Sequence, residues 1–445
     1  MNILKFLLIN LSKAQNKRVF KNFTSLIFSN ISLTVLQILF PLLMINVYGL
    51  ENFGIWIFLT AIPSTLAILN FNINEAARVE MSINFNQNNE KKTNEIFNNS
   101  IILTFIFVAF IILITALIIN FYDFDLNILK DLNKHKINII MLCIFSSFYL
   151  DLFISIFKTG ITFWGRNDVA TYLDTFFDLF TKFFIVVSGF LFNELFFAAI
   201  TLLIVNLLKI TIFYFFFVNY NKYLTLFSFK LISKKGIFKL FKLSIPYYFT
   251  NVAGIIKHSS QIIILGIFFN SQIIGSVSTL KTLFYFMPSR IFGIVFRTIS
   301  YEFTKLYAEK KFSLLKKMYF NYLKLGIIFL SIFCFISISA GEYIYNFWLN
   351  NAYNVNYFIL VLIIFDVIFF IMAESVISVN RSLNKFFEVS IFQIIINSII
   401  ILISCLLFYF QQSYYFLFIF NLIGSILIMF YSIYFTKAFM KKNFI

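Results

Sequence analysis

Long apolar stretches alternate with short polar segments along the whole chain. Each stretch is about 20 residues or longer, the length at which a helix crosses the ~30 Å hydrocarbon core of a bilayer. Apolar residues run continuously through the stretches instead of recurring at every second position, which predicts helices and not the strands of a membrane barrel. The twelve predicted spans are residues 23–47, 54–73, 100–121, 137–157, 171–192, 195–218, 246–268, 275–299, 320–340, 356–378, 389–409 and 414–436.

Composition supports an integral membrane protein and fixes its orientation. The 445 residues are 60% hydrophobic and only 12% charged, whereas soluble domains are about a quarter charged. Most of the 36 lysines and arginines fall between alternate spans, and three fall in the opposite loops, all within 122–136. Because cytoplasmic loops collect Lys and Arg, both termini are predicted to lie inside, in a cytoplasmic membrane. The same rule explains the net charge of +17, so no nucleic-acid partner is expected.

The spans divide into two sets of six. This predicts an all-α protein with two six-helix lobes, related as a parallel pseudo-repeat around a central cavity. The first lobe is residues 1–219, beginning with an interfacial helix, and the second is 220–445, beginning with a basic cytoplasmic linker. Two short outer turns that end in glycine, 46–54 and 267–275, occupy matching places in the two halves.

All four prolines lie in the first two spans of a half. Pro246 stands near the start of its predicted helix, where proline costs little. Pro41, Pro63 and Pro288 lie within or at the end of spans, where proline removes a backbone hydrogen bond and bends the helix. These three are therefore predicted to be gating positions on a transport path.

Several cations lie inside the spans of the second half. Lys257 would sit ~18 Å along its helix, near the bilayer centre, where a cation facing lipid costs at least ~2.5–3.5 kcal/mol. Such cations should face either a watery cavity and an anionic passenger or an acidic partner, and the acids available are Asp366 and Glu374. The predicted substrate-binding residues are Lys257, His258, Lys281, Arg290 and, from the first half, Lys209.

Acidic residues concentrate in the spans of the first half. Asp174, Asp178 and Lys182 follow one another at four-residue intervals, so they share a helix face. One interpretation is a self-neutralising structural ladder, with Lys209 near Asp151. The other is a coupling site for protons or sodium ions, since a desolvated carboxylate can carry a proton. In the second half, Asp366 and Glu374 are the acids predicted to form ion pairs or to take part in coupling. No metal centre or other cofactor is predicted.

Two short motifs resemble a known family. The segment from Pro41-Leu-Leu through Tyr48-Gly-Leu-Glu-Asn-Phe-Gly54 resembles the first hairpin of bacterial polysaccharide flippases, and Pro288-Ser-Arg290 resembles their eighth span. These flippases handle O-antigen and capsule repeat units and belong to the multidrug/oligosaccharidyl-lipid/polysaccharide exporter superfamily. The resemblance implies gates formed by spans 1, 2, 7 and 8, and a cargo of oligosaccharide on undecaprenyl pyrophosphate.

The sequence therefore predicts a transporter that makes and breaks no bond, and not an enzyme. The resemblance implies that it flips lipid-linked repeat units outwards by alternating access in the bacterial inner membrane, in contact with membrane lipids and glycan polymerase machinery. An ion-coupled drug/cation antiporter of the same superfamily is the main alternative. A multispan glycan polymerase or ligase is a further one, disfavoured because the predicted outer loops are short and contain no arginine.

Overall fold

The computed structural model describes most of the chain. The residues it describes are 13–66, 71–121, 134–163, 165–221, 224–226, 228, 231–293, 303, 306, 307, 311–349, 356–383 and 385–443. Within these ranges the regular structure is entirely helical. The helices are α1 (Lys13–Leu66), α2 (Ile73–Asn86), α3 (Glu90–Phe121), α4 (Lys134–Thr162), α5 (Asn167–Phe192), α6 (Leu195–Tyr220), α7 (Lys234–Phe268), α8 (Ser271–Lys281), α9 (Phe312–Trp348), α10 (Tyr357–Val376), α11 (Ser378–Ser382), α12 (Phe387–Tyr409) and α13 (Tyr415–Asn443).

The predicted spans account for the long helices. Spans three to seven and nine to twelve each coincide with one helix, and the first span and residues 54–66 of the second lie in α1. Residues 67–70 of the second span and 294–299 of the eighth lie outside the described residues. Ten helices of the described residues are long and apolar enough to cross a membrane. The predicted all-α, multi-pass membrane fold is thus confirmed, and the twelve-span arrangement with both termini inside is consistent with it.

Helix α1 holds two spans because its backbone breaks at one residue. Its apolar part, Thr24–Leu66, is 43 residues long, about twice what the hydrocarbon core needs at 1.5 Å per residue. At Gly49 the backbone has φ 82° and ψ 160°, a conformation open to glycine and strained for other residues. Pro41 and Pro63 lie on either side of this break, and both are buried.

The two glycine-ended outer turns pack directly against each other. A Cβ atom added at Gly54 would lie 1.9 Å from the carbonyl oxygen of Ser271, and one at Gly275 would lie 2.9 Å from the carbonyl oxygen of Leu50. Only glycine allows the two backbones to approach so closely. The segments that match in sequence are therefore neighbours in space.

Contacts group the helices into two units. Of the described residues, the first unit contains those up to Leu36 and those within Leu66–Phe124 and Leu132–Tyr248. The second unit contains Gln37–Thr65 and the described residues of Phe249–Ile445. In the first unit α4 packs mainly against α6, and in the second α10 packs mainly against α13. The division of the sequence at 219/220 into six-span halves stays a prediction.

The basic linker is partly helical and is held by α3. Its last part, from Lys234, forms the first turns of α7. Asn98 Oδ1 accepts a hydrogen bond from the backbone of Ser228 at 2.8 Å, and Lys239 Nζ lies 3.0 Å from a Glu80 oxygen on α2. The linker is therefore held against α2 and α3 of the first unit through its own backbone as well as through its charge.

Candidate functional site

In the first unit, three helices bring five charged side chains together; we name these residues the carboxylate cluster. Asp151 and Lys158 are seven residues apart on α4, so they face the same way. Asp174 and Asp178 are one turn apart on α5, and Lys209 projects from α6. The close packing of α6 against α4 and α5 places Lys209 opposite all three acids.

Lys209 is the centre of the carboxylate cluster. Its Nζ lies 3.4 Å from Asp151, 3.6 Å from Asp174 and 3.8 Å from Asp178. Lys158 forms a separate ion pair with Asp174. Lys182, one turn beyond Asp178, interacts with it electrostatically.

The cluster lines a polar cavity of about 440 Å³ within the first unit. The cavity wall contains three acids and two lysines, a formal excess of one negative charge. The lining residues are Ser29, Leu33, Asp151, Ile154, Ser155, Lys158, Thr171, Asp174, Thr175, Asp178 and Lys209. A polar cavity with excess carboxylate between membrane-spanning helices can exchange protons or hold a cation.

The second unit contains a buried polar network with the opposite excess of charge. Lys257 Nζ on α7 donates to Asp366 Oδ1 on α10 at 3.1 Å and to Ser425 Oγ on α13 at 2.8 Å. Ser425 Oγ also donates to Asp366. The ammonium lies 4.5 Å from the centre of the Phe370 ring, a distance at which the ring face attracts a cation.

A second buried lysine joins this network through amides. Lys281 Nζ on α8 donates to Gln261 Oε1 at 2.6 Å, and Gln261 Nε2 donates to Asn421 Oδ1 at 2.7 Å. No carboxylate of the described residues lies within ion-pair distance of Lys281, which is 5% exposed. The network therefore contains two buried lysines and one buried aspartate.

Next to the network lies a smaller cavity of about 230 Å³. Lys257 and His258 form one wall, and Glu374 and Arg381, which pair with each other, form another. His258 Nδ1 is buried and has no hydrogen-bond partner among the described residues. The other lining residues are Ala253, Gly254, Phe370, Gln393, Asn397 and Ile428.

The helix that carries Lys281 widens immediately after it. Residues Thr282–Phe286 form a π-helical turn in which the N–H of Met287 bonds to the carbonyl of Thr282, five residues back. Pro288 follows and has no N–H to donate, which explains why the regular bonding pattern is lost here. The wide turn places the Tyr285 ring 5.1 Å from the His258 ring, centre to centre.

The structure brings the predicted site residues together in two groups. Lys209, Asp174 and Asp178 are in the first unit, with Lys182 beside Asp178. Lys257, Lys281 and Asp366 share the buried network, and His258 and Glu374 line the cavity next to it. Arg290 lies in the helical residues 287–293 and lines neither polar cavity.

Sequence reasoning missed several partners of these residues. The predicted fourth span ends at residue 157 and so leaves Lys158 in a cytoplasmic loop, whereas in the structure it shares a face of α4 with Asp151. The predicted tenth span ends at residue 378 and likewise leaves Arg381 in a loop, whereas in the structure Arg381 pairs with Glu374. The uncharged members Gln261, Asn421 and Ser425 carry no distinctive sequence signal, since single amides and hydroxyls recur throughout the apolar spans.

Comparison with known proteins identifies solved structures of similar fold. The sequence matches no protein-family model and no curated protein. The structure is similar to the inward-facing conformation of a multidrug resistance MATE family transporter of the MOP superfamily (TM-score 0.64, 11% identity, covering 92% of this chain and 98% of that one). It is also similar to the Vibrio cholerae MATE transporter VcmN in the bent form (TM-score 0.58, 14% identity, 96% and 97% covered).

A third similar structure is described by the polarity of its binding pocket. It is a MOP superfamily transporter from Pyrococcus furiosus, described as having a binding pocket of reverse polarity (TM-score 0.51, 11% identity, 93% and 95% covered). This chain has the helical fold of these solved transporters. Identities this low establish the fold alone, and the narrower resemblance to polysaccharide flippases stays a prediction.

Proposed function

We propose that the chain is an ion-coupled antiporter of the MOP superfamily that exchanges protons or sodium ions for an organic cation. The carboxylate cluster is the observation that carries this proposal. Its cavity has more acid than base, lies between helices that are long and apolar enough to cross a membrane, and is large enough for a bound ion or the charged end of a substrate. The similar structures include multidrug transporters, which supports this alternative over the flippase predicted from the two sequence motifs.

The carboxylate cluster can bind the coupling ion and the organic cation in competition with each other. Lys209 contacts each of the three acids, so a cation that enters the cavity competes with the ammonium for the same oxygens. A proton that binds one acid removes the negative charge that attracts the cation. Binding of the two ligands is thereby opposed, which is the thermodynamic requirement for exchange.

The test is transport by purified protein in vesicles under an imposed proton or sodium gradient, with ethidium as the fluorescent organic cation. Asp178→Asn removes the excess negative charge and should slow ethidium movement about tenfold or more, the effect of ~1.4 kcal/mol lost in binding. Glu194→Gln is the matched control, because Glu194 pairs with Lys136 outside the cluster. The proposal is wrong if neither gradient drives ethidium, or if both variants transport equally.

A lipid-linked oligosaccharide flippase is the second candidate, and one observation favours it. Lys281 is a buried cation without a described acid in contact, as expected of a residue that meets an anionic cargo. In this case, cells lacking the protein should accumulate polyprenyl-pyrophosphate-linked glycan on the cytoplasmic leaflet. Lys281→Met should reproduce that accumulation at normal protein levels, while Asp178→Asn should have the smaller effect.

A further inference from the structure

Helices α9 and α10 enclose an apolar groove on the second unit. The groove has a volume of about 590 Å³, and apart from two hydroxyls, the Cys334 thiol and the Met372 thioether its wall is hydrocarbon. Its rim is exposed, with Phe335 75% and Ile327 52% accessible. The lining residues are Ile327, Leu330, Ser331, Cys334, Phe335, Ile338, Ser339, Phe365, Ile368, Phe369 and Met372.

Two glycines of α9, one beyond each end of the groove, lie within contact distance of α10. A Cβ atom at Gly326 would lie 3.7 Å from Ser375 Oγ, and one at Gly341 would lie 3.5 Å from Leu360, both on α10. A buried hydrogen bond of 3.0 Å from Tyr319 OH to the Val376 carbonyl also joins the two helices. The groove spans residues 327–339, between these contacts.

The two ends of the groove differ. At the outer end, the exposed Tyr357 of α10 donates its OH to the carbonyl of Ile338 of α9 at 3.2 Å and ties the two helices together. At the cytoplasmic end, the lining residues Ser331 and Ile338 continue at seven-residue steps into Lys324 and Lys317. Residues seven apart are almost two full turns apart and keep nearly the same direction.

Lys324 and Lys317 therefore stand where the groove opens towards the cytoplasm. Both side chains are exposed, and neither pairs with a carboxylate in the described part of the chain. From Lys324 to Ile338 the helix rises ~21 Å, enough to run alongside an acyl chain in one leaflet. Basic residues at this level attract the anionic lipids of the cytoplasmic leaflet.

We propose that this groove is a binding site for an acidic phospholipid of the cytoplasmic leaflet. One acyl chain lies in the groove, and the phosphate contacts Lys324 and Lys317. Because both lysines lie at the cytoplasmic end, the headgroup is that of an inner-leaflet lipid. The site is separate from both polar cavities, and the lipid is a bound component and not the cargo.

Native mass spectrometry of the full-length protein in detergent tests this, with phosphatidylglycerol and phosphatidylcholine of identical acyl chains as probes. The wild type should retain phosphatidylglycerol in preference to phosphatidylcholine. Lys324→Gln should weaken phosphatidylglycerol retention about fivefold and leave phosphatidylcholine unchanged, from ~1 kcal/mol per basic residue near an anionic surface. Lys437→Gln removes an exposed cation from the end of α13 and should change neither.

Ser331→Trp tests the role of the groove while leaving Lys324 and Lys317 unchanged. Ser331 is exposed, so an indole there fills the groove without entering the core, and it should weaken retention of both lipids. Leu402→Trp adds the same ring at a 63% exposed position on α12 and should leave retention unchanged. Equal retention of the two lipids by the wild type, or equal retention by the two tryptophan variants, would overturn the proposal.

Discussion

The two units use charge at membrane depth in opposite ways. In the first, the acids of the carboxylate cluster are partly open to solvent, with the side chains of Asp151 and Asp178 48% and 45% exposed around one central lysine. In the second, Lys257 and Asp366 are 6% and 7% exposed and share a serine. The first arrangement can gain or lose an ion at small cost. The second resists such a change.

The physical reason is desolvation. Taking an ion out of water costs several kcal/mol, and a buried pair recovers this only while both partners remain. Partly solvated charges keep much of their hydration, so losing one neighbour costs them little. The difference predicts that matched substitutions will have unequal effects in the two units, and four comparisons test it.

The largest effect is expected for Asp366→Asn. This change leaves the Lys257 ammonium buried without its counter-charge, which should lower the free energy of unfolding by about 3–5 kcal/mol. Thermal unfolding of the purified protein in detergent measures the loss, with Glu388→Gln at an exposed site of α12 as control. The double variant Lys257→Met with Asp366→Leu should recover most of the stability, because it removes both charges. A single variant as stable as the control would mean that the pair is hydrated.

Removing the central lysine of the carboxylate cluster comes next. Lys209→Met deletes charge-assisted contacts to three acids and lets them repel one another, for an expected loss of about 1.5–3 kcal/mol. Adding Asp174→Asn should restore part of that stability, since one of the repelling charges then disappears. The double-mutant cycle gives the coupling directly. If the two losses simply add, Lys209 is not the residue that balances Asp174.

Two serines on α13 compare a satisfied hydroxyl with an unsatisfied one. Ser425 bridges Lys257 and Asp366, so Ser425→Ala should cost about 1–2 kcal/mol. Ser432, seven residues later, is buried with a hydroxyl that has no partner among the described residues. Ser432→Ala should therefore be neutral or stabilising in the same unfolding measurement. Equal losses would show that helix packing matters here, and not the bridge.

Much of the fold could be predicted from the sequence, because spanning length and continuous apolarity are local properties. The sequence predicts two spans joined by a short outer turn at 46–54, but not that the backbone leaves the helical conformation at Gly49. Helix α2 was missed because it is short and amphipathic, so it lacks the apolar length that identifies a span. Pro288 predicts that the regular helical hydrogen bonding is disturbed near it, but not that the result is a π-helical turn.

Less of the candidate site could be predicted. The charged members Lys209, Asp174 and Lys257 stood out, since ionisable residues are costly inside a membrane. The partners of these residues could not be predicted, because Lys257 and Asp366 are 109 positions apart in the sequence. Whether a lysine pairs with an acid or faces a cargo depends on how the helices pack. The sequence therefore indicates which ionisable residues lie within the spans more readily than which of them contact each other.

The smallest effect is expected for Lys158, at the rim of the carboxylate cluster. Its side chain is 44% exposed, and its pair with Asp174 is therefore weakened by water and by salt. Lys158→Gln should lower the free energy of unfolding by about 0.2–1 kcal/mol, and the loss should shrink further at high salt. Unfolding of this variant and of Lys209→Met, measured side by side at low and high ionic strength, compares the rim with the centre. A loss from Lys158→Gln as large as that from Lys209→Met, and insensitive to salt, would show that the cluster is closed to water. The two units would then differ only in the sign of their excess charge, and not in the hydration of their charged side chains.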